Sequence, residues 1–250
     1  MQTRRPIHSF VLRAGRMTPA QERALKDLWP LYGVDLGGTP LDLDRLFGRR
    51  APRCLEIGFG VGEVIASLAE KHPDNDYLGI EVHRPGVGRL LLRAERSKMR
   101  NLRVICHDAV EVLGRHLPGA CLDEILVFFP DPWHKKRHHK RRLIEPKFVD
   151  SLAAALRDGG VLRLATDWQA YAERMLLVCN AHPQLASLSA DLTYVPRAHF
   201  RPQTRFERRG ERLGHGVWDL AYVRRPASEK AASNSVDDEL HGERRKDHAG

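Results

Sequence analysis

The 250-residue chain is poor in aromatic residues, at 7%, has only four cysteines, and contains no long apolar run. No stretch approaches the ~20 consecutive apolar residues that cross a bilayer, so no membrane span is expected. The opening MQTRRPIHSFVLRAGR carries bases without an apolar segment after them, and no secretory signal is expected either. Cys54, Cys106, Cys121 and Cys179 lie far apart and form no CxxC pair. This excludes a zinc ribbon and a thioredoxin-type site, and it predicts reduced, buried thiols in a cytoplasmic protein. With 42% hydrophobic and 29% charged residues, the composition is that of a soluble globular protein able to bury a core without staples.

Charge is more informative. The net charge is +9, with a pI near 9.7. Residues 228–250 hold six acids and four bases, so without them 37 bases face 26 acids, a balance of +11. Such an excess predicts a polyanionic partner. Residues 227–250 are polar with little to bury and read as a disordered tail.

From Arg53 onward, strand-like runs alternate with amphipathic helical patterns. The strands read RCLEI, DYLGIEV, LRVICHD, DEILVFF and GVLRLATD, with helices starting near Val61, Pro85, Ala109, Glu145 and Trp168. This order predicts an α/β fold with a doubly wound, mostly parallel sheet whose central strands are continuously apolar. Gly216 to Arg224 alternates like a last strand and is expected to lie antiparallel at the sheet edge. Residues 1–50 are read as an extension with one helix, capped by Thr18 with Pro19 at its first position. Residues 51–226 form the main unit.

Gly58, Gly60 and Gly62 follow the first strand and precede a helix. Glycines let the backbone turn sharply and approach a ligand, and the helix start offers free N–H groups. A dinucleotide fold would put its third glycine at position 63, which is Glu63, so the G-x-G-x-G form beside Glu56 suits a nucleoside cofactor without a pyrophosphate. A plain tight turn is the alternative. Glu81 ends the second strand, where a carboxylate can accept both ribose hydroxyls. Asp108 ends the third, where it can receive an adenine amine. Both fall at the carboxyl edge where open α/β sheets bind ligands.

Together with this turn, the segment VFFPDPWHKKRHHKRRLIEPKFVD resembles the signature of bacterial tRNA (guanine-N7)-methyltransferases, Rossmann-like class I enzymes. HSFVLRAGRMTPAQ, LATDW and TRFERRG are similar to further family motifs, and the resemblance runs from Ser9 to Arg224. It implies S-adenosyl-L-methionine as cofactor, held by Glu56, Gly58, Gly60, Gly62, Glu81, Asp108 and Asp131. The implied substrate is guanine 46 in the tRNA variable loop, with no metal, membrane or obligatory protein partner. Asp131 is implied as the catalytic-site acid. Guanine N7 has a lone pair and no proton, so this acid is expected to position the base and stabilise charge. Lys135, Asp167, Thr204, Arg205, Phe206 and Glu207 are implied as substrate contacts, and Arg137, His138, His139, Lys140, Arg141 and Arg142 as RNA contacts. Arg4, Arg5, Arg13 and Arg16 are expected to extend that surface. His134 and His138 have the helical spacing of metal ligands, but the cations around them oppose a metal. A methyltransferase for another RNA site or a small molecule, a non-catalytic RNA-binding module and a nicotinamide oxidoreductase remain the rival readings.

Overall fold

A computed structural model describes residues 16–201 and 216–226. Seven strands form one sheet in the order β3-β2-β1-β4-β5-β7-β6. These are β1 (Arg53–Ile57), β2 (Asp76–Ile80), β3 (Leu102–Ile105), β4 (Leu122–Phe128), β5 (Leu156–Thr166), β6 (Leu185–Ser187) and β7 (Trp218–Arg224). The first five are parallel, and β7 is antiparallel to both β5 and β6. The predicted antiparallel last strand is β7, but β6 lies outside it and forms the edge.

Alternation of side chains across the pleat divides the core into two layers. Leu55, Ile57, Leu78, Ile80, Ile125 and Val127 face α7 (Pro146–Ala155) and α8 (Gln169–Asn180) through Phe148, Leu152, Tyr171 and Met175. Cys54, Tyr77, Val104 and Leu126 face α4 (Glu63–Lys71) and α5 (Arg84–Arg96) through Ile65, Leu68, Leu90 and Leu91. The strands are apolar on both sides because both sides are covered.

Helix α1 (Pro19–Asp27) starts as predicted. Gln21 N–H donates to Thr18 Oγ1 and Thr18 N–H to Gln21 Oε1, a capping box. Its Gln21 amide also donates to the Pro85 carbonyl, which ties α1 to the start of α5. Two short helices that the sequence pattern does not reveal follow it, α2 (Trp29–Tyr32) and α3 (Leu43–Phe47), the latter capped by Asp42 and closed by left-handed Gly48. Between them Val34 pairs with Val104 beside β3. A one-turn α6 (Ala109–Glu111) runs into a π-helical turn over Val112–His116. Among the described residues, no helix is long and apolar enough to cross a membrane.

The chain leaves β1 toward β2 on one side, while β4 pairs on the other, so the strand order reverses between β1 and β4. Loops leaving the carboxyl ends of these strands diverge and open a crevice there.

Candidate active site

At the end of β1 the backbone turns through three left-handed glycines, Gly58 (φ 71°), Gly60 (φ 59°) and Gly62 (φ 76°), the last forming the N-cap of α4. Side chains rarely adopt this conformation. A Cβ at Gly58 or Gly60 would meet nothing within 4 Å, so the turn borders open space on that side. Glu81, at the end of β2, holds the turn from below. Its Oε2 accepts Gly60 N–H at 2.8 Å, and its Oε1 accepts Val82 N–H at 2.7 Å and His83 N–H at 2.9 Å. Thus the carboxylate expected to meet a ribose also fixes the turn that would carry it. Gly86 in α5 is a residue that sequence reasoning misses: a Cβ there would overlap the Gly60 carbonyl oxygen. Its one signal is a glycine near the start of a helix, where alanine would be the better former.

Glu56 lies two residues before Gly58, on the α4 side of the sheet, and is only 3% exposed. Its Oε2 has no hydrogen-bond partner among the described residues. Burial raises its pKa to about 8, the polar backbone of Ile65 at the start of α4 opposing and the nearby Glu81 charge adding. Asp108, at the end of β3, is the N-cap of α6 and accepts Val110 N–H at 2.9 Å.

These features fit a cationic nucleoside sulfonium such as S-adenosylmethionine. The turn is open to close approach, three carboxyl groups lie on successive strand ends, and one buried carboxyl oxygen lacks a donor among the described residues.

Asp131 follows β4 between Pro130 and Pro132 and is exposed. On either side of this triplet, Phe129 (φ 53°) and Trp133 (φ 47°) are left-handed without being glycine. Such conformations cost ~1–3 kcal/mol each and persist only where the surroundings enforce them. Beneath the loop, Arg201 and Asp219 form a buried pair at 2.9 Å, with the guanidinium over the rings of Phe128 and Phe129. Asp167 lies after β5, in a turn where Trp168 N–H donates to Thr166 Oγ1 at 3.3 Å. It does not cap α8, whose N-cap is Trp168. The rings of His134 and Trp168 meet edge-on, centroids 4.1 Å apart, so the loops carrying Asp131 and Asp167 touch.

The basic run forms a 3-10 helix over Lys136–Arg141. Lys135, Lys136, Arg137 and Lys140 are exposed. Arg141 packs over the Trp133 ring, and His138 meets that ring edge-on. A small loss of hydration, then the cations of Arg137 and Arg141, lower the His138 pKa. Arg142 departs from the expectation that it lies along RNA. It is only 6% exposed, stacks over Tyr171 and spends its guanidinium on protein partners, because the chain turns inward there to start α7. Thr204, Arg205, Phe206 and Glu207, with Arg4, Arg5 and Arg13, lie outside the described residues. Arg16 is exposed ahead of α1.

Comparison with known proteins gives a consistent family. A family model described as "Putative methyltransferase" matches residues 50–220. The chain is 56% identical to a tRNA (guanine-N(7)-)-methyltransferase of Alkalilimnicola ehrlichii, covering 89% of this chain and 94% of the relative. It is 54% identical to one of Edwardsiella ictaluri, covering 88% and 92%. Among solved structures, the 16S rRNA methyltransferase KamB superposes with a TM-score of 0.53 at 16% identity, covering 78% of this chain and 99% of that one. The 16S rRNA (adenine(1408)-N(1))-methyltransferase of Catenulisporales acidiphilia superposes with a TM-score of 0.51 at 17% identity, covering 77% and 96%. These two likenesses show the fold.

Proposed function

The chain belongs to the tRNA (guanine-N(7)-)-methyltransferase family, and on that basis we propose that it moves a methyl group from S-adenosyl-L-methionine to N7 of guanine 46 in the variable loop of tRNA. The observation that carries this reading is the meeting of an acid-lined, open glycine turn with the exposed Asp131 of a strained proline loop, next to a basic helix, at one end of one sheet.

When bound, the cofactor would supply an electrophilic methyl carbon on a positively charged sulfur. Glu81 would hold the turn and receive the ribose, and Asp108 would receive the adenine amine. Guanine N7 attacks with its own lone pair, so no residue has to remove a proton first. Transfer of the methyl would leave a neutral thioether and put the positive charge on the purine ring. Asp131 would stabilise that charge and turn the base toward the methyl carbon. Asp167 would accept from guanine N1–H and the 2-amino group, which adenine lacks in this arrangement.

Lys135, Arg137, His138, His139, Lys140 and Arg141 would meet the phosphate chain, relieving the repulsion among their own charges. Thr204, Arg205, Phe206 and Glu207 are assigned to the substrate by family likeness, Phe206 as a stacking face for an unstacked base. Residues 51–226 are assigned as the methyltransferase unit. The extension before it is assigned to RNA through Arg4, Arg5, Arg13 and Arg16, and the cytoplasm is the expected compartment.

The test is incubation of unmodified tRNA transcripts with labelled cofactor, followed by borohydride and aniline, which cut at N7-methylated guanine. Cleavage at position 46 is expected. Label in another nucleotide, or none at saturating enzyme, overturns the reading.

A further inference from the structure

We propose that Arg142 is a positioning residue for methyl transfer, one guanidinium that sets the loop carrying Asp131 against the loop carrying Asp167. The inference rests on the proposed function, and it removes Arg142 from the RNA contacts. Arg142 Nε donates to the Pro132 carbonyl at 2.8 Å, one residue after Asp131. Its Nη1 reaches the Ala170 carbonyl at 3.5 Å, in the first turn of α8 and three residues after Asp167. Its Nη2 lies 3.3 Å from His139 Nε2, and since a guanidinium only donates, that nitrogen accepts.

The plane lies over the ring of Tyr171, 4.8 Å from its centroid. Tyr171 is itself fully buried, and its hydroxyl accepts Ile144 N–H at 3.0 Å. The anchor beneath the guanidinium is therefore fixed to both α8 and the entry to α7. Two left-handed non-glycine residues bracket the Asp131 triplet, and a loop so strained holds its shape only under restraint. Arg141 grips Trp133 from one side, and Arg142 grips the Pro132 carbonyl from another. Lysine cannot replace this fork, because an ammonium is a point donor with no plane to stack.

The experiment compares the full-length parent with Arg142→Lys, Arg142→Met and, as control, Arg50→Lys, an exposed arginine ahead of β1 at the other end of the sheet. Calorimetry with S-adenosylhomocysteine and thermal melting establish which variants fold and keep the cofactor cleft. Binding of tRNA is measured across a salt series, and the single-turnover rate at saturating tRNA and cofactor. Arg142→Lys and Arg142→Met are expected to lose about tenfold to a hundredfold in the saturated rate, the scale of a misplaced reacting group. Cofactor affinity, tRNA affinity and the salt slope should stay at parental values, and Arg50→Lys should keep its saturated rate. A saturated rate within twofold of the parent in Arg142→Lys overturns the proposal, whether or not Arg142→Met folds. So does a salt slope reduced by about one charge in Arg142→Met with an unchanged saturated rate, since that is a phosphate contact. A parent that methylates no N7 position refutes the proposed function instead.

Discussion

Gly86 of α5 lies so close to the Gly60 carbonyl that the two backbones touch where any side chain at position 86 would intrude. The neighbour is backbone, which cannot rotate aside. Gly86→Ala is therefore expected to push the glycine turn away from Glu81 and strain the hydrogen bond to Gly60 N–H. Titration with S-adenosylhomocysteine should show affinity reduced at least about tenfold, the equivalent of ~1.4 kcal/mol. Unaltered affinity with an unaltered melting temperature would show that the turn tolerates displacement.

Asp131 is exposed and held by its neighbouring prolines, so removing its charge should leave the cofactor cleft intact. Asp131→Asn is expected to lower the single-turnover rate by about 10²–10³-fold, the usual scale for losing one electrostatic stabiliser. Affinity for S-adenosylhomocysteine should be maintained. Equal losses in both would place Asp131 in cofactor binding alone.

Glu56 supplies a pH signature. Its folded pKa is raised from 4.5 to about 8, chiefly by burial, so the folded chain keeps a proton that the unfolded chain has released across that interval. The contribution to stability is complete below about 4.5 and is lost as pH rises through about 8. Glu56→Gln, which cannot titrate, should gain in stability relative to the parent as pH rises from about 5 to about 8. Urea midpoints measured in parallel give the difference, and a constant gap across that range would refute the assignment.

Lys136 and Arg137 project from the 3-10 helix into solvent. Replacing both with glutamine should weaken tRNA binding and flatten the dependence of log K on log salt by roughly 0.7–0.9 for each phosphate no longer neutralised. The rate at saturating tRNA should change little. Affinity that fell without any change in slope would mean these cations act on the fold.

Much of this architecture is legible in the chain. The five parallel strands announce themselves because both of their faces are covered, which leaves continuous runs such as Ile125-Leu126-Val127-Phe128. The crevice follows from the acids and glycines at their ends. Strand β6 is not legible: three residues show no period, and its pairing with β7 comes from the far end of the chain. Nor is the fate of Arg142, since Arg141-Arg142 is one charge run in sequence and two environments in space. Only the turn of the chain into α7 separates an arginine on Trp133 from one buried against Tyr171. Glu56 stands out in the sequence as a cofactor residue, but its burial depends on how α4 packs over the strand.

The placement of β7 between β5 and β6 has a consequence for synthesis. The strand that completes the sheet leaves the ribosome after the other six, yet it occupies an interior position. Until then β5, with Leu162 and Leu164 already committed to the core, presents an unpaired hydrogen-bonding edge. A nascent or truncated chain that stops short of Trp218 is thus a template for other extended chains, and its solubility hinges on how quickly the closing strand arrives.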